Sequence, residues 1–99
     1  MGSEAALGRR TVRVRITGQV QGVGFRMWAE RNARALGLTG WVRNRRDGAV
    51  EALFSGASGA VRDMLERCSE GPIGAAVNEV VIVEEGGPAP PGFSVLPAA

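Results

Sequence analysis

The sequence predicts an α+β domain in which two helices pack against one face of an antiparallel-rich sheet. Two observations predict this class: strand-like runs occur at several places in the chain, and two segments with apolar residues at helical spacing lie between them. The chain has 99 residues, of which 44% are hydrophobic and 22% charged. These values are typical of a globular domain with one modest core, so we expect neither disorder nor a second domain.

The N-terminal part is divided between a tail and a strand. Residues 1–9 carry no periodic pattern, so they are predicted to form a disordered or loose tail, and the domain is predicted to cover residues 10–99. Residues 11–17 alternate strictly between apolar and polar side chains, which predicts a half-buried strand. Its apolar face consists of Val12, Val14 and Ile16.

A glycine-rich loop and a helix follow. Residues 18–24 contain three glycines in seven positions, which indicates a loop. From Phe25 onward the apolar residues share one helical stripe, and Gly37 stands where a helix C′ residue is expected. The stripe consists of Phe25, Ala29, Ala33 and Leu36. This pattern predicts the first helix.

The next segment is predicted to be a β-hairpin. Trp41–Asn44 and Ala49–Phe54 are strand-like and flank the turn Arg45-Arg46-Asp47-Gly48. The Asp-Gly pair is a hairpin signal because glycine tolerates a positive φ. We expect Trp41 to pack in the core and the two arginines to lie on a solvated turn.

A second helix and two further strands complete the domain. The helix is predicted from apolar residues at i, i+3, i+4 and i+7 and ends at Gly71-Pro72. These residues are Val61, Met64, Leu65 and Cys68. Val77–Val83 is predicted to be a strand, and a loop rich in proline and glycine separates it from a short edge strand at 93–96. Cys68 is expected to be buried as a small hydrophobic residue.

The resulting order, β-α-β-β-α-β with a short C-terminal edge strand, is the split βαβ or ferredoxin-like sandwich. In this arrangement both helices lie on one face of the sheet. The fold hosts unrelated functions, including RNA binding and metabolite sensing, so function has to be argued from individual residues.

The composition argues against a disulfide, a metal site and a cofactor, and the hydropathy pattern argues against a membrane helix and a signal peptide. The chain has no His and one Cys, so we expect no internal disulfide, no metal site and no cofactor, and the commonest general base is missing. No apolar run approaches the roughly 20 residues of a membrane helix. The first ten residues lack the apolar stretch of a signal peptide. We therefore expect a cytoplasmic protein that does not bind membranes.

All twelve basic residues are arginines, and their distribution is uneven. Residues 1–49 contain ten Arg and three acidic residues, whereas residues 50–99 contain two Arg and seven acidic residues. The first half is therefore predicted to attract anions, and phosphate is the obvious candidate for guanidinium groups. The alternative is that the arginines simply solvate the surface.

The glycine-rich loop before the first helix is a candidate anion site. Glycines can point several backbone N–H groups inward, and a helix N-terminus adds unpaired donors and the positive end of the helix dipole. The positive charge of Arg26 in the first helical turn is unfavourable near the positive end of the dipole, and an anion bound between Arg26 and the helix would remove this conflict. The alternative is that the glycines only make a tight turn and that Arg26 points to solvent. The spacing leaves both interpretations open, and the loop is neither a Rossmann nor a Walker A motif.

Two segments resemble the signatures of the acylphosphatase family. The first is Gly18-Gln19-Val20-Gln21-Gly22-Val23-Gly24-Phe25-Arg26. The second begins with Gly40-Trp41-Val42-Arg43-Asn44-Arg45-Arg46-Asp47-Gly48-Ala49-Val50 and continues to Gly56. They occur in the expected order and spacing within the expected β-α-β-β-α-β pattern, and the resemblance covers about residues 10–96.

The resemblance implies an enzyme that hydrolyses the carboxyl–phosphate bond of acyl phosphates to a carboxylate and inorganic phosphate. Arg26 matches the family's phosphate-binding arginine, and Asn44 matches the asparagine that positions the attacking water. The backbone cradle for the phosphate matches Val20, Gln21, Gly22, Val23, Gly24 and Phe25. The family often has Thr or Ser after the asparagine, whereas this chain has Arg45. From Asn44 alone, the alternative role is a strand-end residue that caps the turn.

Two other functions are compatible with the predicted fold. An RNA-binding module of the same fold needs aromatic side chains on its central strands, but the first strand carries Arg13 and Arg15 instead. A non-catalytic phosphate-sensing or interaction domain of the same fold is the remaining alternative. We expect a monomer whose partners are a small acyl phosphate substrate and inorganic phosphate as product, with no nucleic acid. The sequence leaves open which acyl phosphate is the substrate, carbamoyl phosphate among them.

Overall fold

The computed structural model describes residues 8–99, which form five strands and two helices in the predicted order. The strands are β1 (Arg9–Gln19), β2 (Thr39–Asn44), β3 (Val50–Ala57), β4 (Ala76–Glu85) and β5 (Phe93–Val95). The helices are α1 (Phe25–Ala35) and α2 (Ser58–Glu70). The ferredoxin-like α+β prediction is confirmed. Residues 1–7 of the predicted tail lie outside the described residues, and Arg9, which we assigned to the tail, belongs to β1.

The strands form one sheet in the order β4-β1-β3-β2-β5. β3 lies between β1 and β2 and is antiparallel to both, which is the arrangement that a split βαβ unit requires. β4 pairs antiparallel with β1, and β5 runs parallel to β2 at the other edge. The sheet is therefore mixed, with one parallel pair at the edge where Val42 lies beside Val95.

The core lies between the two helices and one face of the sheet. Its largest fully buried side chains include the predicted apolar face of β1 together with residues of both helices and of β3. These residues are Val12, Val14, Ile16, Phe25, Phe54, Val61 and Met64. α1 ends as predicted, because Gly37 adopts φ 72° directly after the C-cap residue Leu36.

Cys68 belongs to this core and is a free thiol. Burial raises the pKa of the Cys68 thiol to about 12, so the side chain is neutral at physiological pH. This agrees with its predicted position on the apolar stripe of α2. It also makes Cys68 a poor nucleophile, because the thiolate is the reactive form.

The other face of the sheet carries a network of ion pairs. Glu51 on β3 is almost fully buried and accepts hydrogen bonds from Arg13 at 2.7 Å and from Arg43 at 2.9 Å. Burial alone would raise the pKa of Glu51, but these two guanidinium groups outweigh it, so the pKa of Glu51 lies below its ordinary value. The central strand is therefore buried on both faces.

The prediction that Trp41 packs in the core is wrong. Val42 faces the helices, and because side chains alternate along a strand, Trp41 lies on the opposite face of the sheet. It is half-buried there, and the Arg43 guanidinium lies 4.9 Å from the centre of its ring. Trp41 thus stabilises the outer face through a cation–π contact.

Within residues 8–99, no helix is long and apolar enough to cross a membrane. In the same part of the chain, no three side chains of the types that ligate metals are grouped so as to hold a metal ion.

Candidate active site

A cleft of about 260 Å³ opens where the loop after β1, the beginning of α1, the end of β2 and β5 meet. It brings together Arg26 and Asn44, which are 18 positions apart in the sequence. The lining residues are Val20, Gln21, Gly22, Gly24, Phe25, Arg26, Met27, Asn44 and Val95. Of the six loop residues predicted for the site, only Val23 is not among them, and its side chain packs against the core instead.

The backbone of the loop after β1 is shaped by glycine. Gly22 has φ 78°, and Gly24, the N-cap residue of α1, has φ 77°. Residues with a side chain rarely adopt such angles, because Cβ then crowds the backbone. The two glycines therefore allow the chain to turn sharply from β1 into the helix. Sequence inspection alone could not distinguish this turning role from an anion site.

The same loop offers unused hydrogen-bond donors. The first hydrogen bond within α1 runs from the Trp28 N–H to the Gly24 carbonyl at 3.0 Å. Among residues 8–99, no acceptor is found for the backbone N–H groups of residues 21–27. No side chain caps the helix, and its first turn contains no acidic residue. The free N–H groups of the first helical turn lie at the positive end of the helix dipole, and those of the loop directly precede them, so this segment is a favourable environment for an anion.

Arg26 is the charged side chain of the cleft. It is half-buried in the first turn of α1, where its positive charge opposes the helix dipole. Within the described residues it forms neither an ion pair nor a side-chain hydrogen bond, whereas Arg10, Arg13 and Arg15 all pair with acidic groups. The guanidinium of Arg26 is thus available to an anion held by the loop.

Asn44 is the last residue of β2 and lies on the helix-facing side, two positions after Val42. Its backbone carbonyl accepts a hydrogen bond from the Ala99 N–H at 3.0 Å, which fixes the end of the strand. Its side-chain amide makes no hydrogen bond to any of residues 8–99. An unengaged amide at the rim of the cleft can both accept a hydrogen bond from a water molecule and donate one to it.

The alternative role for Asn44, capping the hairpin turn, is performed by another residue. The Asp47 carboxylate accepts a hydrogen bond from the Ala49 N–H at 3.1 Å and a second one from Arg15 at 2.7 Å. The pKa of Asp47 lies below its ordinary value, mainly because of the hydrogen bond from the Ala49 N–H and secondly because of the one from Arg15. The turn is therefore closed without the side chain of Asn44.

The side chain of Gln21 has a role that the sequence did not reveal. Its Nε2 donates hydrogen bonds to the carbonyls of Arg45 at 2.7 Å and of Ala49 at 2.9 Å. These bonds tie the loop after β1 to the hairpin turn that follows Asn44. The signal is long-range, because the partners lie 24 and 28 positions away, so no local pattern in the sequence points to it.

Arg45 and Arg46, the two arginines predicted on a solvated turn, lie away from the cleft lining. The Arg45 guanidinium contacts Glu51 on the outer face of the sheet at 3.3 Å, and Arg46 is exposed. Arg45 stands where the family that the two signatures resemble often has Thr or Ser, and its side chain is engaged with this outer face. The cleft therefore combines one guanidinium, one free amide and a row of backbone donors.

Most of the chain is similar to known acylphosphatases in sequence and in structure. A profile of the family described as acylphosphatase matches residues 12–95. An acylphosphatase of Rhodospirillum rubrum is 49% identical over 89 residues, which cover 90% of this chain and 98% of that protein. One from Rhizobium etli is 59% identical over 69 residues, covering 70% of this chain and 73% of that protein. The structure of an acylphosphatase from Coxiella burnetii superimposes with a TM-score of 0.85 at 35% identity, covering 91% of this chain and 95% of that one.

Proposed function

The chain belongs to the acylphosphatase family, and we propose that it hydrolyses the carboxyl–phosphate bond of acyl phosphates in the cleft shared by Arg26 and Asn44. The products are a carboxylate and inorganic phosphate. The observation that carries the assignment to this cleft is the meeting of an unpaired guanidinium, a free amide and a row of unused N–H groups.

The phosphate is bound by Arg26 and the loop. A planar guanidinium can donate to two phosphate oxygens at once, which fixes the orientation of the group. The N–H groups of the loop and of the first helical turn donate to the remaining oxygens. In the transition state of phosphoryl transfer, charge is spread over these oxygens, so donors arranged in advance lower the barrier.

Asn44 orients the attacking water. Its amide oxygen accepts a hydrogen bond from the water, and its amide nitrogen donates one, so the oxygen lone pair of the water is directed at phosphorus. An amide is too weak a base to remove the proton. As the new P–O bond forms and the bond to the acyl oxygen breaks, the proton passes to a phosphate oxygen of the substrate.

The leaving group explains why so few catalytic residues suffice. The electron pair of the broken bond remains on a carboxylate, a weak base that needs no protonation to depart. General acid catalysis therefore has little to add at this step. This fits a chain without histidine. Nothing in the comparisons supports the alternative of a non-catalytic phosphate-sensing or interaction domain.

The substrate and product are small molecules, and we propose that the protein acts as a cytoplasmic monomer without nucleic acid. The proposed reaction uses Arg26, Asn44 and the loop of the same chain, so it requires no residue from a second copy. Among the described residues, the outer face of the sheet offers no uncovered aromatic ring for base stacking, because the Arg43 guanidinium lies over the Trp41 ring. Its arginines Arg13 and Arg15 are paired with acidic groups, which weakens their attraction for phosphate backbones.

The function is tested by measuring phosphate released from benzoyl phosphate by the purified protein in the presence of EDTA. We expect release by the wild type, and we expect Arg26→Lys to lower kcat/KM about a hundredfold or more, which corresponds to about 3 kcal/mol. Arg31→Lys is the matched control, because Arg31 is an exposed arginine of the same helix outside the cleft. Equal loss in both variants, or no release by the wild type, would refute the assignment.

A further inference from the structure

Three arginines converge on one buried carboxylate behind the active site. Glu51 lies on the outer face of β3 and is almost fully buried. Its Oε2 accepts a hydrogen bond from Arg13 at 2.7 Å, and its Oε1 accepts one from Arg43 at 2.9 Å. The same Oε1 also accepts a hydrogen bond from Arg45 at 3.3 Å. Both carboxylate oxygens are therefore engaged, and one of them holds two guanidinium groups.

Two of these arginines are the chain neighbours of Asn44. Arg43 precedes Asn44 in the chain, and Arg45 follows it. Both reach the same oxygen of Glu51 on the outer face of the sheet, whereas the Asn44 side chain lies on the other face, at the cleft. The direction of a side chain is set by the backbone on either side of it. Holding both neighbours therefore limits how far the Asn44 amide can turn with its backbone.

Asn44 needs such support because it is the last residue of β2, where the chain leaves the sheet for the turn. The ends of secondary-structure elements open more readily than their centres. Arg43 stands opposite Glu51 in the β2–β3 register, and Arg13 joins the same carboxylate to β1. The end of β2 is thus tied through Glu51 to both β3 and β1.

Stability alone explains a carboxylate at this position poorly. Replacing a buried ion pair by well-packed apolar side chains is often neutral or stabilising, because burying charges is costly. A fully satisfied polar network fixes relative positions more tightly than apolar contact, which has no preferred direction. An amide that orients a water molecule needs this precision, since a displacement of about 1 Å between reacting groups can lower a rate roughly a hundredfold.

We propose that Glu51 is a positioning residue of the active site: through the two arginines that flank Asn44, it holds this amide at the angle at which it orients the attacking water. This inference rests on the function proposed above. Glu51 does not line the cleft, so its loss should affect the water and not the phosphate. We expect Glu51→Gln to lower kcat roughly 5–30-fold, and to change KM and the affinity for inorganic phosphate by no more than about twofold.

The test measures kcat and KM for benzoyl phosphate, and calorimetric affinity for inorganic phosphate, in wild type, Glu51→Gln and Arg45→Met. Arg45→Met leaves the two shorter hydrogen bonds of Glu51 in place, so it tests the positioning even where Glu51→Gln folds poorly, and its kcat should fall roughly 2–5-fold. Glu84→Gln is the matched control, because Glu84 removes the same charge and also accepts a hydrogen bond from Arg13, at 3.2 Å, but lies on β4. Thermal unfolding establishes a temperature at which each variant is folded.

The sharpest measurement repeats Glu51→Gln in the Asn44→Ala background. Because Glu51 acts through Asn44, the substitution should lower kcat in the wild type but leave the residual rate of Asn44→Ala unchanged. Glu84→Gln should leave kcat unchanged in both backgrounds. Wild-type kcat in every folded variant, an equal loss in the Asn44→Ala background, or an equal loss in Glu84→Gln would overturn the positioning role and leave the proposed function standing. Failure of the wild type to release phosphate would overturn both.

Discussion

Replacing Gln21 by alanine removes the two hydrogen bonds that join the phosphate-binding loop to the turn after Asn44. Both bonds are donated by Nε2, to the carbonyls of Arg45 and Ala49. The loop provides the N–H groups that are proposed to bind the phosphate, and the turn directly follows Asn44, whose amide is proposed to orient the water. The substitution therefore tests whether their relative position matters for catalysis.

The structural cost of this substitution should be small. The Arg45 carbonyl also accepts a hydrogen bond from the Gly48 N–H at 3.1 Å, and the Ala49 carbonyl accepts one from the Arg45 N–H at 2.8 Å. Neither carbonyl loses its last partner, so no buried acceptor is left unsatisfied. At about 0.5–1.5 kcal/mol for each hydrogen bond, and with Gln21 itself exposed, we expect a loss of about 1–2 kcal/mol in the free energy of unfolding.

The catalytic cost should be larger than the structural cost. A displacement of about 1 Å between reacting groups can lower the rate roughly a hundredfold, so we expect Gln21→Ala to reduce kcat by about 10–100-fold. KM should change less, because Arg26 and the N–H groups remain in the loop. Gln21→Glu should lower kcat at least as much as Gln21→Ala, since a carboxylate cannot donate to the two carbonyls and adds a negative charge to the cleft that binds the phosphate.

The assay is steady-state hydrolysis of benzoyl phosphate, combined with urea unfolding of each variant. Asn32→Ala is the matched control, because Asn32 also donates from its side-chain amide to a backbone carbonyl, that of Trp28 at 2.8 Å. It lies on α1 outside the cleft lining, so its loss should leave kcat unchanged. If Gln21→Ala retains wild-type kcat, the loop does not need its tie to the turn, and the reasoning is refuted.

Three further predictions test the surrounding fold. Glu51→Gln should lower the free energy of unfolding at pH 7 by about 1–3 kcal/mol. Because folding lowers the pKa of Glu51, the stabilisation by its carboxylate is present above the ordinary pKa of 4.5 and is lost as the pH falls through the pKa of the folded state. Urea titrations that show the same difference between variant and wild type at pH 7 and at pH 3 would contradict this reasoning. Cys68→Ser should cost about 1–2 kcal/mol through burial of a hydroxyl while kcat per folded molecule persists, and lost turnover in a well-folded variant would show that Cys68 is misassigned. Gly40→Ala should lower the free energy of unfolding by about 3 kcal/mol or more, as measured by thermal unfolding. Gly40 has φ 137°, and an added Cβ would lie 1.8 Å from the Leu53 carbonyl oxygen. Gly59→Ala in α2 is the control, because its Cβ would meet nothing within 4 Å and the substitution should be neutral or stabilising.

The elements that could be predicted are those specified by local patterns. The alternation in β1, the helical stripe from Phe25 and the Asp-Gly turn each have a period or a turn residue that acts over a few positions. Asn44 and Arg26 were selected by their resemblance to family signatures, and the fold brings them to one cleft.

The features that could not be predicted depend on contacts between distant parts of the chain. β3 extends to Ala57 because it pairs with Arg9 of β1, and β4 extends to Glu85 because it pairs with Val12. The parallel pairing of β5 with β2 has no local signal. The hydrophobicity of Trp41 favours the core, but its position next to the inward-facing Val42 places its side chain on the outer face of the sheet.

The central claim is that Arg26 and the loop bind the phosphate, whereas Asn44 acts on the water. Calorimetric titration of inorganic phosphate into wild type, Arg26→Lys and Asn44→Ala tests this division most directly, because it measures binding without turnover. We expect Asn44→Ala, although almost inactive, to bind phosphate with nearly wild-type affinity, and Arg26→Lys to bind it at least about tenfold more weakly, since lysine lacks the planar fork. Loss of phosphate binding in a well-folded Asn44→Ala variant, or unchanged affinity in Arg26→Lys, would contradict the account.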